Sequence, residues 1–128
     1  MTSPFRVLIV DDHPEVRHAL AVRLGSTPDV AVVGEIADAE EALQQAEALH
    51  PDVVVVETKR ADGRGLELVS RLTHNLAGLK IVVLTSYLSE WEQWAAFRAG
   101  ALRYLLKDID TAQLLEQIRA VGAAAWPV

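Results

Sequence analysis

The sequence predicts a doubly wound α/β domain, a five-stranded parallel sheet flanked by helices. Short β-branched runs alternate with longer segments of helical spacing from one end of the chain to the other. Several of the short runs are apolar without polar alternation, as in strands covered on both faces. No internal repeat, linker or low-complexity stretch breaks the alternation, so the chain reads as one domain of five βα units with right-handed crossovers.

In chain order, the strands are expected at Phe5–Val10, Val30–Gly34, Val53–Val56, Ile81–Thr85 and Leu102–Leu106. The helices are expected at Pro14–Gly25, Ala39–Leu49, Gly65–His74, Ser89–Ala99 and Asp110–Gly122. Each helix carries apolar residues three and four apart, such as Leu43, Ala46 and Leu49, or Leu114, Leu115, Ile118 and Val121. Pro14 suits a first helical turn, Gly25 and Gly100 suit helix ends, and Asp110-Thr111 offers an N-cap. Trp94 and Phe97, three apart, are assigned to the core.

Composition narrows the function. The 128 residues are 51% hydrophobic and 23% charged, enough for one cored domain. The net charge of −6, with basic residues scattered except at Lys59, Arg60 and Arg64, argues against direct nucleic-acid binding by this domain. With no cysteine there is no disulfide framework or thiolate metal chemistry, which fits a reducing compartment. The N-terminus lacks a signal-peptide pattern and no segment approaches a membrane span, so a soluble, cytoplasmic protein is expected.

Doubly wound sheets place chemistry at the carboxyl ends of their strands, and here those ends are all polar. Asp11 and Asp12 follow the first strand, Glu57 the third, Thr85 and Ser86 close the fourth, and Lys107 follows the fifth. Adjacent carboxylates with a hydroxyl and a lysine form a hard oxygen site for a divalent ion, with a cation beside it for an anionic ligand. Singly, each has an ordinary structural reading as a turn, a satisfied hydroxyl or a solvated lysine. Their recurrence on successive strand ends is the signal.

Five segments, Val7-Leu-Ile-Val-Asp11-Asp12-His13, Pro51-Asp-Val-Val-Val-Val-Glu57, Gly65-Leu-Glu-Leu, Ile81-Val-Val-Leu-Thr85-Ser86-Tyr87 and Arg98-Ala-Gly-Ala-Leu-Arg-Tyr104-Leu-Leu-Lys107-Asp108, resemble response-regulator receivers of the NarL/FixJ type. The resemblance covers nearly the whole chain and implies the flavodoxin-like (βα)5 receiver fold. It also implies that Asp11 and Asp12 correspond to a magnesium-holding acidic pair, Thr85 to a switch hydroxyl, Tyr104 to a switch aromatic and Lys107 to a phosphate-pairing lysine. Glu57 then stands where the phosphate-accepting aspartate is expected. Ala61 replaces the family's proline and Arg64 its usual aspartate, which implies a more cationic, looser loop over residues 59–64. The tail from Arg119 to Val128 resembles the start of a linker toward a helix-turn-helix domain, a module this chain is not expected to contain.

Glutamate shares the carboxylate chemistry of aspartate, but its extra methylene moves the attacking oxygen by about 1 Å, enough to cost on the order of a hundredfold where in-line geometry matters. Two uses of Glu57 follow. It can pair with Lys107 or Lys59 as a structural lock, or it can mimic a phosphoryl group and draw Thr85 and Tyr104 inward, with one charge and two oxygens in place of nearly two and three. The lock is preferred. No cofactor is required, while a magnesium ion on Asp12 and Glu57 remains an open alternative.

Other residues carry weaker signals. His13 and His18 read as surface residues without a second metal ligand at suitable spacing. Tyr87, Leu88 and Trp91 lie beside the pocket, either as an exposed ligand or partner surface or as a cover for the loop after Glu57. Tyr104 has the alternative reading of a strand-end aromatic with its hydroxyl in water. The leading function is a non-enzymatic regulatory module, a dimer controlling an attached or partner helix-turn-helix domain and responding to a small-molecule effector or partner. The second is a receiver accepting phosphate from a histidine kinase on Glu57, Thr58 or Asp62. A flavodoxin-like cofactor carrier is disfavoured, because Asp11-Asp12-His13-Pro14 after the first strand would repel phosphate.

Overall fold

A computed structural model describes residues 3–124. Five strands, β1 (Phe5–Val10), β2 (Val30–Ile36), β3 (Val53–Val56), β4 (Lys80–Thr85) and β5 (Arg103–Leu106), form one parallel sheet in the order β2-β1-β3-β4-β5. Between and after them lie α1 (Pro14–Leu24), α2 (Ala39–Leu49), α3 (Gly65–Asn75), α4 (Glu90–Ala99) and α5 (Thr111–Ala123). The strand order reverses direction at β1 and β3, so a crevice opens at their carboxyl ends.

Alternate strand residues face opposite layers, which is why the runs lack polar alternation. Leu8, Val54, Val56 and Val83 pack with Ala42, Leu68 and Leu72 on one side, while Ile9, Val55, Val82 and Leu84 pack with Leu24, Leu114 and Ile118 on the other. β2 runs two residues past the expected Gly34. A register shift between Val7 and Leu8 passes over one β2 residue, after which Leu8, Ile9 and Val10 pair with Gly34, Glu35 and Ile36.

Caps fix the helix ends. Pro14 opens α1, and the Asp38 carboxylate accepts from the Glu41 N–H to start α2. Asp110 holds the N-cap position of α5 as expected, but its side chain makes no capping bond. Gly100 ends α4 at φ 121°, a conformation side chains resist, and a Cβ there would stand 2.2 Å from Thr73 Oγ1. The start of α3 is equally constrained: a Cβ on Gly65 would stand 2.0 Å from the Thr58 carbonyl oxygen.

One core assignment is wrong. Trp94 and Phe97 are 59% and 44% exposed. Ala96 is the buried residue of α4, and the i, i+4, i+7 stripe of Glu92, Ala96 and Ala99 turns toward the fold, so the bulky residues face out. The cause is Glu92, whose carboxylate is bonded inside the pocket described next. The expected linker start, from Arg119 to Val128, falls partly on residues 125–128, which lie outside the described residues.

Candidate functional site

The sheet brings the polar strand ends together. Val10 pairs with Val56 and Thr85 with Leu106, so the residues that follow emerge side by side. Backbone bonds fix them: Asp11 N–H donates to Ile36 O at 3.0 Å, Glu57 N–H to Val10 O at 3.0 Å, and Lys107 N–H to Thr85 O at 2.8 Å.

Lys107 lies between two carboxylates. Its Nζ stands 2.6 Å from Asp11 Oδ2 and 3.0 Å from Glu57 Oε1, with both acids almost wholly buried. The other oxygens are also taken. Glu57 Oε2 accepts from the Lys59 N–H at 2.9 Å, and Asp11 Oδ1 accepts from the His13 N–H at 2.9 Å. Burial opposes the charge on Lys107, but the two acids more than offset it and hold its pKa above the ordinary lysine value.

A second lysine forms a separate cluster. Lys59 Nζ donates to Thr85 Oγ1 at 2.7 Å, Glu92 Oε1 at 2.7 Å and the Tyr87 carbonyl at 3.1 Å, using all three ammonium hydrogens. The Tyr104 hydroxyl donates to the same Glu92 oxygen at 2.7 Å and accepts from the Ser89 N–H at 3.3 Å. Burial works against ionised Glu92, but Lys59 and Tyr104 prevail and lower its pKa. Burial and then the neighbouring Glu92 raise that of Tyr104. For Lys59, burial is the largest single influence and lowers the pKa, but Glu92 and Tyr104 together outweigh it and the pKa rises.

These contacts sort the expectations. Asp11, Glu57 and Lys107 meet directly, as the lock reading requires. Tyr104 is buried with its hydroxyl bonded, so the reading of a water-facing phenol is corrected: Glu92 and the Ser89 N–H hold it inside. Tyr87, Leu88 and Trp91 are 64%, 56% and 68% exposed, and the Tyr87 ring lies 4.4 Å from Lys59 Nζ in the loop after Glu57. His13 and His18 are exposed as expected, but the expectation that His13 lacks companion ligands is corrected: the fold brings its ligand atom and those of Asp11 and Asp12 within 4.8 Å of one another. The expected loosening of the 59–64 loop is not what its bonds describe. Ala61 N–H donates to Asp12 Oδ2 at 2.8 Å, and the buried Arg60 reaches Ala37 O at 2.7 Å and Asp62 at 3.1 Å.

Magnesium needs several free oxygens in octahedral array, yet both oxygens of Asp11 and of Glu57 and one of Asp12 accept hydrogen bonds or meet Lys107. Asp12 Oδ1 has no hydrogen-bond partner, although His13 Nδ1 stands 3.1 Å away. The residues as arranged do not fit the ion, since lysine supplies the neutralising charge.

The profile of the response regulator receiver domain matches residues 7–119. The chain belongs to the receiver-domain family of response regulators. Among curated relatives, this receiver is 39% identical over 92% of its length to the DNA-binding transcriptional activator DevR/DosR of Mycobacterium tuberculosis, and 38% identical over 91% to the transcriptional regulatory protein LiaR of Bacillus subtilis. It covers 54% and 56% of those proteins, about half their length. Among solved structures, a LuxR-family response regulator from Aurantimonas superposes with a TM-score of 0.87 at 33% identity, over 94% of this chain and 86% of that one. The receiver domain of a putative response regulator NarL from Mycobacterium tuberculosis gives 0.89 over 97% and 100% at 22% identity, which speaks to the fold.

Sequence reasoning missed Glu92 and the destination of Lys59. A signal existed for Glu92: Ser89-x-x-Glu92 is a capping-box spacing, and Ser89 Oγ does accept from the Glu92 N–H at 3.3 Å. The Tyr104 hydroxyl, rather than Glu92, takes the Ser89 N–H, which frees the carboxylate to turn inward. No local pattern announces that exchange.

Proposed function

We propose that this chain is the receiver module of a two-component-type transcription regulator whose output is set by its own ion pairs and its partners, not by phosphoryl transfer to position 57. The observation that carries the reading is the 3.0 Å contact between Glu57 and Lys107. A phosphorylated receiver needs that lysine for the incoming phosphoryl group; here a carboxylate of the protein already occupies it. With Oε2 held by the Lys59 N–H and Oε1 beside Lys107, both Glu57 oxygens already have partners within the protein.

The lock is favoured over phosphoryl mimicry by the partners of the switch residues. Thr85 and Tyr104 both lie inward, but toward Lys59 and Glu92 rather than Glu57. In this reading Asp11, Glu57 and Lys107 form the fixed centre, and Thr85 and Tyr104 form the arm that reports to α4. On the same reading the module is a non-enzymatic cytoplasmic dimer acting on an attached or partner helix-turn-helix domain; what supports a transcriptional output is that the relatives are named a DNA-binding transcriptional activator and a transcriptional regulatory protein. A histidine kinase or small-molecule effector is its candidate upstream partner.

The second reading, phosphate acceptance at low rate, draws on the retained Asp11, Asp12, Thr85 and Lys107 and on the buried Thr58 hydroxyl, which has no hydrogen-bond partner. Intact mass after incubation with magnesium and a small phosphodonor separates the two. This chain is expected to remain unmodified while Glu57→Asp gains a phosphoryl adduct. An adduct on the unaltered chain overturns the proposal.

A further inference from the structure

The turn that carries Lys107 is held from α1. Arg23, in the last turn of that helix, donates from Nη1 to the Lys107 carbonyl at 2.8 Å, from Nε to Thr111 Oγ1 at 3.0 Å and from Nη2 to the Ile109 carbonyl. One guanidinium thus gathers three acceptors between positions 107 and 111, which lie 84 to 88 residues further along the chain. All three acceptors are uncharged, so the planar fork supplies direction rather than neutralisation.

Nothing local replaces this fork. Asp110 stands at the N-cap of α5 without a side-chain bond, and the first turn of that helix has no acidic residue. Packing does not fix Lys107 either. Val16, Ala19 and Leu20 of α1, with Arg23 and Lys107, line a cavity of about 160 Å³, so the lysine stem has open space beside it. A flexible stem next to a void is placed by its backbone and by its end group. The Lys107 backbone is pinned on both sides, its N–H to the Thr85 carbonyl at 2.8 Å and its own carbonyl to Arg23. With the second bond gone, a shift of about 1 Å at the ammonium carries its 2.6 Å and 3.0 Å contacts with Asp11 and Glu57 past hydrogen-bonding distance.

We infer that Arg23 is a positioning residue for the cluster of Asp11, Lys107 and Glu57: from α1 it sets the 107–111 turn, and thereby the place of the Lys107 ammonium between the two acids. The inference rests on the contact that carries the proposed function and adds the group that holds it. It makes α1 part of the lock, although no residue of α1 touches Glu57 through a hydrogen bond or ion pair among the described residues.

Amine labelling with acetic anhydride, read by peptide mass, tests the inference on the three lysines of the chain, Lys59, Lys80 and Lys107. Only an uncharged, accessible amine reacts, so a lysine clamped between two acids is protected. Arg23→Gln should raise the Lys107 rate about tenfold and leave Lys80, at the far end of β4, within about twofold. Arg23→Lys keeps the charge without the planar fork and should still raise the Lys107 rate about fivefold. A Lys107 rate unmoved by Arg23→Gln overturns the inference. So does a rise shared equally by all three lysines, which marks a general loosening rather than a positioning role. If circular dichroism and the urea midpoint show that Arg23→Gln does not fold, Arg23→Lys decides by the same criteria. Glu57→Gln, labelled alongside, keeps the two claims apart. If it leaves Lys107 protected, the contact behind the proposed function falls, while the Arg23 variants still report on Lys107 beside Asp11. If it exposes Lys107 and the Arg23 variants do not, the inference alone falls.

Discussion

The two lysines of the pocket do different work in similar-looking surroundings. Lys107 stands between Asp11 and Glu57, two acids sealed beneath the strand ends, and ties β1, β3 and β5 at points the sheet already holds together. Lys59 lies nearer the surface and ties the loop after β3 to the end of β4 and the first turn of α4, segments no strand pairing connects. One cluster neutralises charge that has nowhere else to go. The other couples an exposed helix to the pocket. The same ammonium group therefore stabilises in one place and transmits in the other, and the difference is the solvent access of its partners.

The largest effect should come from Lys107→Ala, which strands two buried carboxylates. Removing one partner of a buried pair costs on the order of 3–5 kcal/mol, so the urea midpoint should fall far enough to leave little folded protein at moderate denaturant. A loss below about 1 kcal/mol would mean that water relieves Asp11 and Glu57, and the contrast between the lysines would dissolve.

Lys59→Ala should cost less, about 1–2 kcal/mol, because the Lys59 and Glu92 side chains are 21% and 13% exposed and can recover some solvation. Its signature lies in the structure instead. Amide shifts in an ¹⁵N spectrum should move along Ser89, Glu92 and the rest of α4, whereas Lys107→Ala should move those around Asp11 and Glu57. Shifts confined to the 59–64 loop would show that Lys59 does not report to α4.

Tyr104→Phe isolates the last link. Losing the phenol leaves Glu92 and the Ser89 N–H each short of one partner, for about 1 kcal/mol, and should weaken the coupling of α4 without touching Lys107.

Acidity separates the clusters with the smallest stability change. Glu92 has a pKa lowered by the fold, so its contribution is present above the ordinary glutamate value of 4.5 and is lost as pH falls through the lower folded value. Both lysines are raised, so theirs is present below the ordinary 10.5 and is lost as pH rises through their higher folded values. Urea midpoints measured against pH should therefore fall on the acid limb with the Glu92 contribution, and Glu92→Gln should flatten that part of the limb. An unchanged acid limb would place the titration elsewhere, for instance at Asp29, which Arg119 holds at about 2.

Much of the fold was legible because its signals are local. β1, β3 and α2 fall where the pattern puts them, since strand and helix periods are written in neighbouring residues. The excess length of β2 was not, because it depends on a register shift against β1. The site divides in the same way. Asp11, Glu57, Thr85 and Lys107 could be read as a group because a parallel sheet delivers successive strand ends to one edge.

Taken alone, then, the sequence determined the sheet, the helices, the set of polar strand ends and the departure at position 57. Tertiary structure alone decided which way α4 faces. By spacing, Trp94 and Phe97 belonged inside, as the larger apolar residues of their helix. The decision went to Glu92, because a carboxylate that finds Lys59 33 residues away and the Tyr104 hydroxyl 12 residues away is satisfied inside. Ala96 and Ala99 leave room for that turn, and the aromatic rings are carried outward. Pairing across the fold has no periodicity, so no window of neighbouring residues could have shown it.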